Sequence, residues 1–265
     1  MFKSLAAVPL LMLALTAAAA EPAHIPVGIY PSYPPLDIRD PASGELKGFD
    51  IELGKRVAQK LGATFDLQET AFAQLVASVQ TGRIKLFFNG MDDTAPRREV
   101  ISFVDYLRSG TQFMARAADA YADETALCGK KVAGSRGTNL PGQIAEWSQA
   151  HCESQGRPAI VFLGADNNID ARSQLKQGRA DVMAQDSLTI PYIQTREPGV
   201  YQTVGEPFDI TIMGIGVDKS DAPLQNALVK ALQEMIDDGT YAALLKSWGL
   251  PPSSAVARAT VNGAP

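Results

Sequence analysis

Hydrophobic periodicity in this chain switches repeatedly between a two-residue and a 3.6-residue repeat, and that alternation limits the folds open to it more than any other feature. Ile25, Val27 and Ile29 alternate with His24, Pro26 and Gly28, the pattern of a strand that ends before the turn Tyr33-Pro34-Pro35. A helix opens at Phe49-Asp50 with Asp50 as its N-cap. Leu53, Val57 and Leu61 recur at helical spacing, and Gly62 stands where that helix stops. A strand over 64–68 follows, then a helix carrying Leu75, Val76 and Val79 that stops at Gly82, then a strand over 84–88. This is a β-α-β-α-β unit, the signature of a parallel sheet.

The order then recurs. Strands are expected over 131–135, 160–163 and 180–184, with a helix carrying Ile144 and Trp147 and another over 169–177 between them. A further helix starts near Ser187, with Pro191 distorting or delaying it. The last strong helix puts Leu224, Leu228, Ala231, Leu232 and Met235 on one face and ends at Gly239. A shorter one runs from Tyr241 to Trp248 and stops at Gly249, before Pro251-Pro252. The rest of the chain reads as an unstructured tail. Two successive α/β units of similar size imply two lobes with a cleft between them. Ligands of such sheets sit beyond the carboxyl ends of the strands.

The N-terminus reads as a cleaved signal peptide, residues 1–20. Lys3 is its basic region, Leu5 to Ala17 its apolar run, and Ala18 to Ala20 the small residues at the cleavage position. The apolar run is shorter than the ~20 residues of a membrane-spanning helix. Loss of Lys3 takes the formal charge from −5 to −6, and no Lys/Arg cluster marks a nucleic-acid or anionic-membrane surface. Cys128 and Cys152 are the two cysteines; in an oxidising compartment an even count favours a disulfide, worth roughly 3 kcal/mol for a loop of this size. No CxxC spacing occurs, and His24 and His151 are the two histidines, too few ligands for a zinc site. No metal or cofactor is expected.

Three segments follow expected strands, where functional groups gather. In Gly90 to Arg98, Thr94 or Asp93 can cap a short helix with Pro96 in its first turn. That leaves Arg97 near the cleft, either as a surface charge or as a fork for a carboxylate. Ser135-Arg136-Gly137-Thr138-Asn139 joins a strand to a helix and reads as an anion site or as a simple cap. Gln185-Asp186-Ser187 places a carboxylate at a strand end, fit to hold an ammonium group or to cap a helix.

Taken together, these segments resemble the family-3 extracellular solute-binding proteins, the polar-amino-acid receptors of ABC importers, over about residues 25–250. Tyr33-Pro34-Pro35-Leu36 looks like the family's Y-P-P-F turn, and Gly48 to Leu53 is similar to its G-F-D-x-D-L helix start. Phe72 with Leu75 and Gly82 matches the aromatic before a helix ending in s-G-k. Thr94, Arg97 and Phe103 resemble T-x-x-R…F, with Tyr106 near the tyrosine that follows. Gly129 to Val132 with Gly137-Thr138, Gly178 to Asp181 with Asp186, and Asp238 to Tyr241 with Lys246 to Trp248 continue the register.

The resemblance implies a two-lobed periplasmic-binding-protein-like α/β fold: two mixed sheets flanked by helices, hinged on two crossover strands near Ser109-Gly110 and Ile210-Thr211. Lobe 1 would comprise residues 21–109 and 211–250, lobe 2 residues 110–210, and the flexible tail residues 251–265. It also implies roles: Arg97 clamping the ligand α-carboxylate with the Thr138 amide, Asp186 and the Gly90 carbonyl holding the α-ammonium, and Tyr33 and Phe72 sandwiching the side chain beside Tyr30. For the aromatics, core packing is the other reading. The implied partners are an amino-acid-like ligand and an inner-membrane ABC permease, for a monomeric, periplasmic, non-enzymatic protein.

Two positions depart from the pattern. Asp92 stands where the family has Ser or Thr, and Lys85 where it has Asp. Asp92 either faces the pocket or helps cap the helix beginning near Ala95. Two rivals share the scaffold: a cyclohexadienyl-dehydratase-like enzyme, which would need an acid just after Asp186 where the chain reads Ser187-Leu188-Thr189-Ile190, and an accessory protein of a periplasmic dehydrogenase.

Overall fold

A computed structural model describes residues 22–263; the expected signal peptide lies outside them. In chain order the elements are β1 (Ala23–Ile29), β2 (Ser32–Tyr33), β3 (Asp37–Arg39), β4 (Leu46–Lys47), α1 (Phe49–Leu61), β5 (Ala63–Glu69), α2 (Leu75–Gln80), β6 (Leu86–Asp92) and α3 (Ala95–Arg98). Then come β7 (Ser102–Arg116), β8 (Lys131–Ser135), α4 (Leu140–His151), β9 (Val161–Ala165), α5 (Asn168–Lys176), β10 (Val182–Asp186) and α6 (Thr189–Arg196). β11 (Tyr201–Val217), α7 (Ala222–Asp237), α8 (Thr240–Ser247) and β12 (Thr260–Val261) complete the chain.

The strands run in the order β5-β1-β6-β11-β7-β10-β8-β9, with β12 on β7. One lobe is the parallel set β5-β1-β6, and the other is the parallel set β10-β8-β9. The long antiparallel strands β7 and β11 belong to both, so the two lobe sheets are continuous through them. Their pairing shifts register between Val204 and Phe208 and again before Thr211, where the lobes meet. Asp209, between those shifts, has φ 49°, a left-handed conformation rare outside glycine.

Each lobe has its own core. In the first, Phe49, Leu53 and Val57 of α1 pack with Phe88 of β6, Leu232 and Met235 of α7 and Tyr241 of α8. Full burial of such side chains contributes about 1.5–3 kcal/mol each. Phe87 and Met91 of β6 belong to a second cluster with Leu75, Val79, Ile84 and Phe103, so β6 is buried on both faces and opens on the apolar run Leu86-Phe87-Phe88. In the second lobe, Phe113 meets Trp147 edge-on at 5.0 Å. The Cys128–Cys152 disulfide, with Cα atoms 5.5 Å apart, ties the entry to β8 to the end of α4. His151 is exposed and stacks on Trp147.

Local signals held at several termini. Gly62 caps α1 with φ 63°, and its amide bonds the Ala58 and Gln59 carbonyls. The structure corrects others. Gly48, not Asp50, occupies the N-cap of α1; Asp50 is the second residue of the helix, in its first turn, and is buried because its carboxylate turns into the core to accept from the Tyr106 hydroxyl at 2.9 Å. Thr94 is the N-cap of α3 but makes no side-chain cap bond, and Asp93 instead holds Arg98 Nε at 2.6 Å. Residues 251–263, expected as a flexible tail, are not loose. Thr260 and Val261 pair with β7, Asp105 accepts from Thr260 Oγ1 at 2.8 Å and from the Gly263 amide at 2.7 Å, and Val256 and Ala259 are buried. A buried acid on β7 supplies the acceptors that this polar segment needs, which periodicity within the segment cannot reveal.

Candidate functional site

A cavity of about 280 Å³ lies between the lobes at the carboxyl ends of β6 and β10. Tyr30, Tyr33, Phe72, Gly90, Asp92, Arg97, Thr138 and Asp186 all line it. β6 runs on to Asp92, beyond the expected end at residue 88, and this carries Gly90 and Asp92 to the cavity wall. Gly90 has φ 52°, and a Cβ there would fall 2.5 Å from the Tyr33 ring, so the strand must lack a side chain for Tyr33 to lie against it. Tyr33 is 8 % exposed, whereas Phe72 is half-buried and serves two ends, packing on the core of α2 and lining the cavity.

Arg97 is held at one end. Its Nη1 donates to the Asp92 carbonyl oxygen at 2.8 Å, and burial pulls the guanidinium below its ordinary pKa, opposed by the Asp92 charge. The Asp92 side chain does not cap α3. Its Oδ1 accepts from Thr211 Oγ1 and its Oδ2 from Asn139 Nδ2, both at 2.7 Å. Asn139 precedes α4 of the second lobe, so this carboxylate bridges the cleft. Burial raises its pKa, and the Thr211 contact is the main force opposing that rise.

Asp186 stands at the other end. Its Oδ1 accepts from the Leu188 amide at 2.9 Å, and its Oδ2 accepts from the Ser109 hydroxyl on the crossing strand. Burial pushes its pKa up to about 7; the Ser109 and Leu188 hydrogen bonds oppose the rise and the nearby Asp92 charge adds to it. Tyr33, from the first lobe, faces the same carboxylate; burial and then Asp186 raise its own pKa well above the usual phenol value. The Thr138 hydroxyl is spent locally, donating to the Ser135 carbonyl at 2.8 Å.

Asn139, Ser109, Thr211, Thr111 and Gln143 also line the cavity without having been given a role from sequence. Thr111 donates to Gln143 Oε1 at 2.8 Å, a second link from a crossing strand to α4. Asn139 sat inside the strand-to-helix segment already singled out, and Ser109 and Thr211 at the expected hinge. Their part in the site depends on lobe closure, which has no sequence period.

The arrangement is an interlobe cleft lined by the cation Arg97, the carboxylates Asp92 and Asp186 and the rings of Tyr33 and Phe72. Among relatives, the arginine-binding protein ArgT of Corynebacterium glutamicum is 29 % identical over 92 % of this chain and 80 % of its own length. The histidine-binding periplasmic protein of Salmonella typhimurium is 30 % identical over 89 % of this chain and 91 % of its own. An ancestral arginine-binding protein solved with arginine superposes with a TM-score of 0.75 at 28 % identity, covering 86 % of this chain and 99 % of that one. The family model of the bacterial extracellular solute-binding proteins, family 3, matches residues 25–251, and the chain belongs to that family.

Proposed function

We propose that the protein is the periplasmic receptor of an ABC importer, capturing an amino acid in the interlobe cleft and delivering it, as a monomer, to an inner-membrane permease. The observation that supports this reading is the placement of Arg97 and Asp186 on one cavity with Tyr33 and Phe72 between the lobes. The Arg97 fork suits a ligand α-carboxylate. Asp186, desolvated and ready to ionise, suits the α-ammonium, with the Gly90 carbonyl as a second acceptor. The relatives named for arginine and histidine support this class of ligand. Among the described residues, no Glu, His, Cys or Lys lines the cavity; its lining carboxylates are Asp92 and Asp186, both held by hydrogen bonds, and the exposed Asp166 and Asp209.

The test is a thermal-shift screen of the purified protein against the common amino acids, followed by calorimetry. A ligand at a hundred times its Kd stabilises the folded state by about 2.7 kcal/mol. Arg97→Ala should abolish measurable binding and leave the fold intact, whereas Arg98→Ala, whose partner Asp93 faces away from the cavity lining, should cost stability but little affinity. Near-wild-type affinity in Arg97→Ala refutes the assignment.

A further inference from the structure

The charges enclosed in the cleft do not balance. Arg97 is the one cation among the described residues lining the cavity, and it shares the interior with Asp92 and Asp186. Two further lining carboxylates sit outside this sum. Asp166 is exposed and ion-paired with Arg136 at 2.6 Å, and Asp209 is exposed at the crossing strands. The hydrogen bonds to Asp92 do not cancel its charge, because both come from neutral groups: the Thr211 hydroxyl and the Asn139 amide. Arg97 Nη1 donates to the Asp92 backbone carbonyl and forms no ion pair with the carboxylate, although its nearby charge opposes the rise of the Asp92 pKa. Two donors aimed into one carboxylate suit its ionised form.

A zwitterion held as described above brings no net charge. Its carboxylate would answer Arg97 and its ammonium Asp186, and Asp92, half-buried between the lobes, would stay uncompensated. Enclosing an unpaired charge is costly. A second cation on the ligand removes that cost, and the faces of Tyr33 and Phe72 offer it further attraction. A ligand with a second carboxylate would add to the imbalance. We infer that the cleft selects ligands of net positive charge, a cationic amino acid foremost, and that Asp92 is the residue that sets this charge class. The inference rests on the roles given to Arg97 and Asp186.

Calorimetry with arginine, lysine, glutamine, glutamate and putrescine against wild type, Asp92→Asn and Asp92→Thr tests it. Asp92→Asn keeps the shape and can still accept from Asn139 and donate to Thr211, and circular dichroism confirms that each variant is folded. Wild type should bind arginine or lysine at least about tenfold more tightly than glutamine, with glutamate weakest, and Asp92→Asn should shrink that preference about tenfold or more. Glutamine or glutamate bound as tightly as arginine overturns the charge class and leaves the amino-acid reading standing. A uniform loss across all ligands in Asp92→Asn makes the residue a lobe bridge only, and also overturns it. Binding of putrescine alone keeps the charge class and overturns the zwitterion reading; binding of none of the five overturns both.

Discussion

Two groups of buried acids lie within one lobe's reach of each other, and they solve the cost of burial in opposite ways. Beneath the cleft, Asp37 and Asp50 are 0 % and 1 % exposed. Asn89 Nδ2 donates to Asp37 Oδ2 and the Tyr106 hydroxyl to Asp50 Oδ2, each at 2.9 Å, and the two Oδ1 atoms have no other partner. No basic group acts on either acid. Burial, and then the neighbouring Asp50, holds the Asp37 pKa well above the usual range, and burial pushes Asp50 to about 7. A proton shared between the orphan oxygens is the economical solution for a sealed pair. In the cleft, Asp92 and Asp186 are half-buried rather than sealed; neutral donors hold both, Arg97 lies beside Asp92, and a solute can reach them. A sealed acid must keep a proton; an accessible one can exchange it for a cation. That difference separates a structural carboxyl from a recognition carboxyl more sharply than burial does.

The largest effect should come from exchanging the two groups' neutral forms. Asp186→Asn should cost binding about 2–5 kcal/mol with little change in thermal stability. Asp50→Asn should leave affinity within a few-fold and act on stability instead. Calorimetry and thermal melts on both variants would collapse the distinction if the losses were reversed.

Titration sharpens it next. Asp50 and Asp186 have folded-state pKa values raised to about 7, so the folded protein holds protons that the unfolded chain, with ordinary carboxyls, has lost. Their stabilising contribution is fully present below about pH 4 and disappears as pH rises through about 7, so the empty protein should melt at lower temperature at pH 8 than at pH 5. Affinity should run the other way. Ligand ammonium pairs with ionised Asp186, so binding should strengthen with pH up to about 7, by at most tenfold per pH unit, and then level off. Asp50→Asn should remove its own share of the stability slope, leaving that of Asp186, without touching the affinity curve; a matched change in both would tie the floor pair to recognition.

The smallest effect is expected at the C-terminal segment. Thr260→Val removes one donor to Asp105, whose pKa burial raises to about 6. A loss of roughly 1 kcal/mol, or a few degrees in Tm, should follow, with affinity unchanged in the same melts and titrations.

Legibility in the sequence followed the range of the interactions. Local period places Arg97 and Asp186 after strand ends and the family resemblance adds Gly90; all three line the cavity. Asp50 was misread as a cap because a helix start signals a capping acid equally well whether the carboxyl turns to its own amides or to Tyr106. Asp92 stood out by type, yet neither of its expected roles was the whole of it. The segment after residue 250 has no period at all, and its order comes from Asp105 and from the Phe103 amide, which donates to Asn262 at 2.8 Å.

The sequence by itself determined the alternation of strand and helix, the helix stop at Gly62, the pairing of the two cysteines and the strand-end position of the charged groups, since each depends on neighbours along the chain or on the count of a residue type. The tertiary structure alone decided which groups share a charge. The partners of Asp92 lie 119 and 47 residues away, and only the closing of β7, β11 and α4 around one cavity brings them within hydrogen-bond distance. Charge balance in an enclosed space is a property of everything that encloses it, and a linear order of residues does not state what that will be.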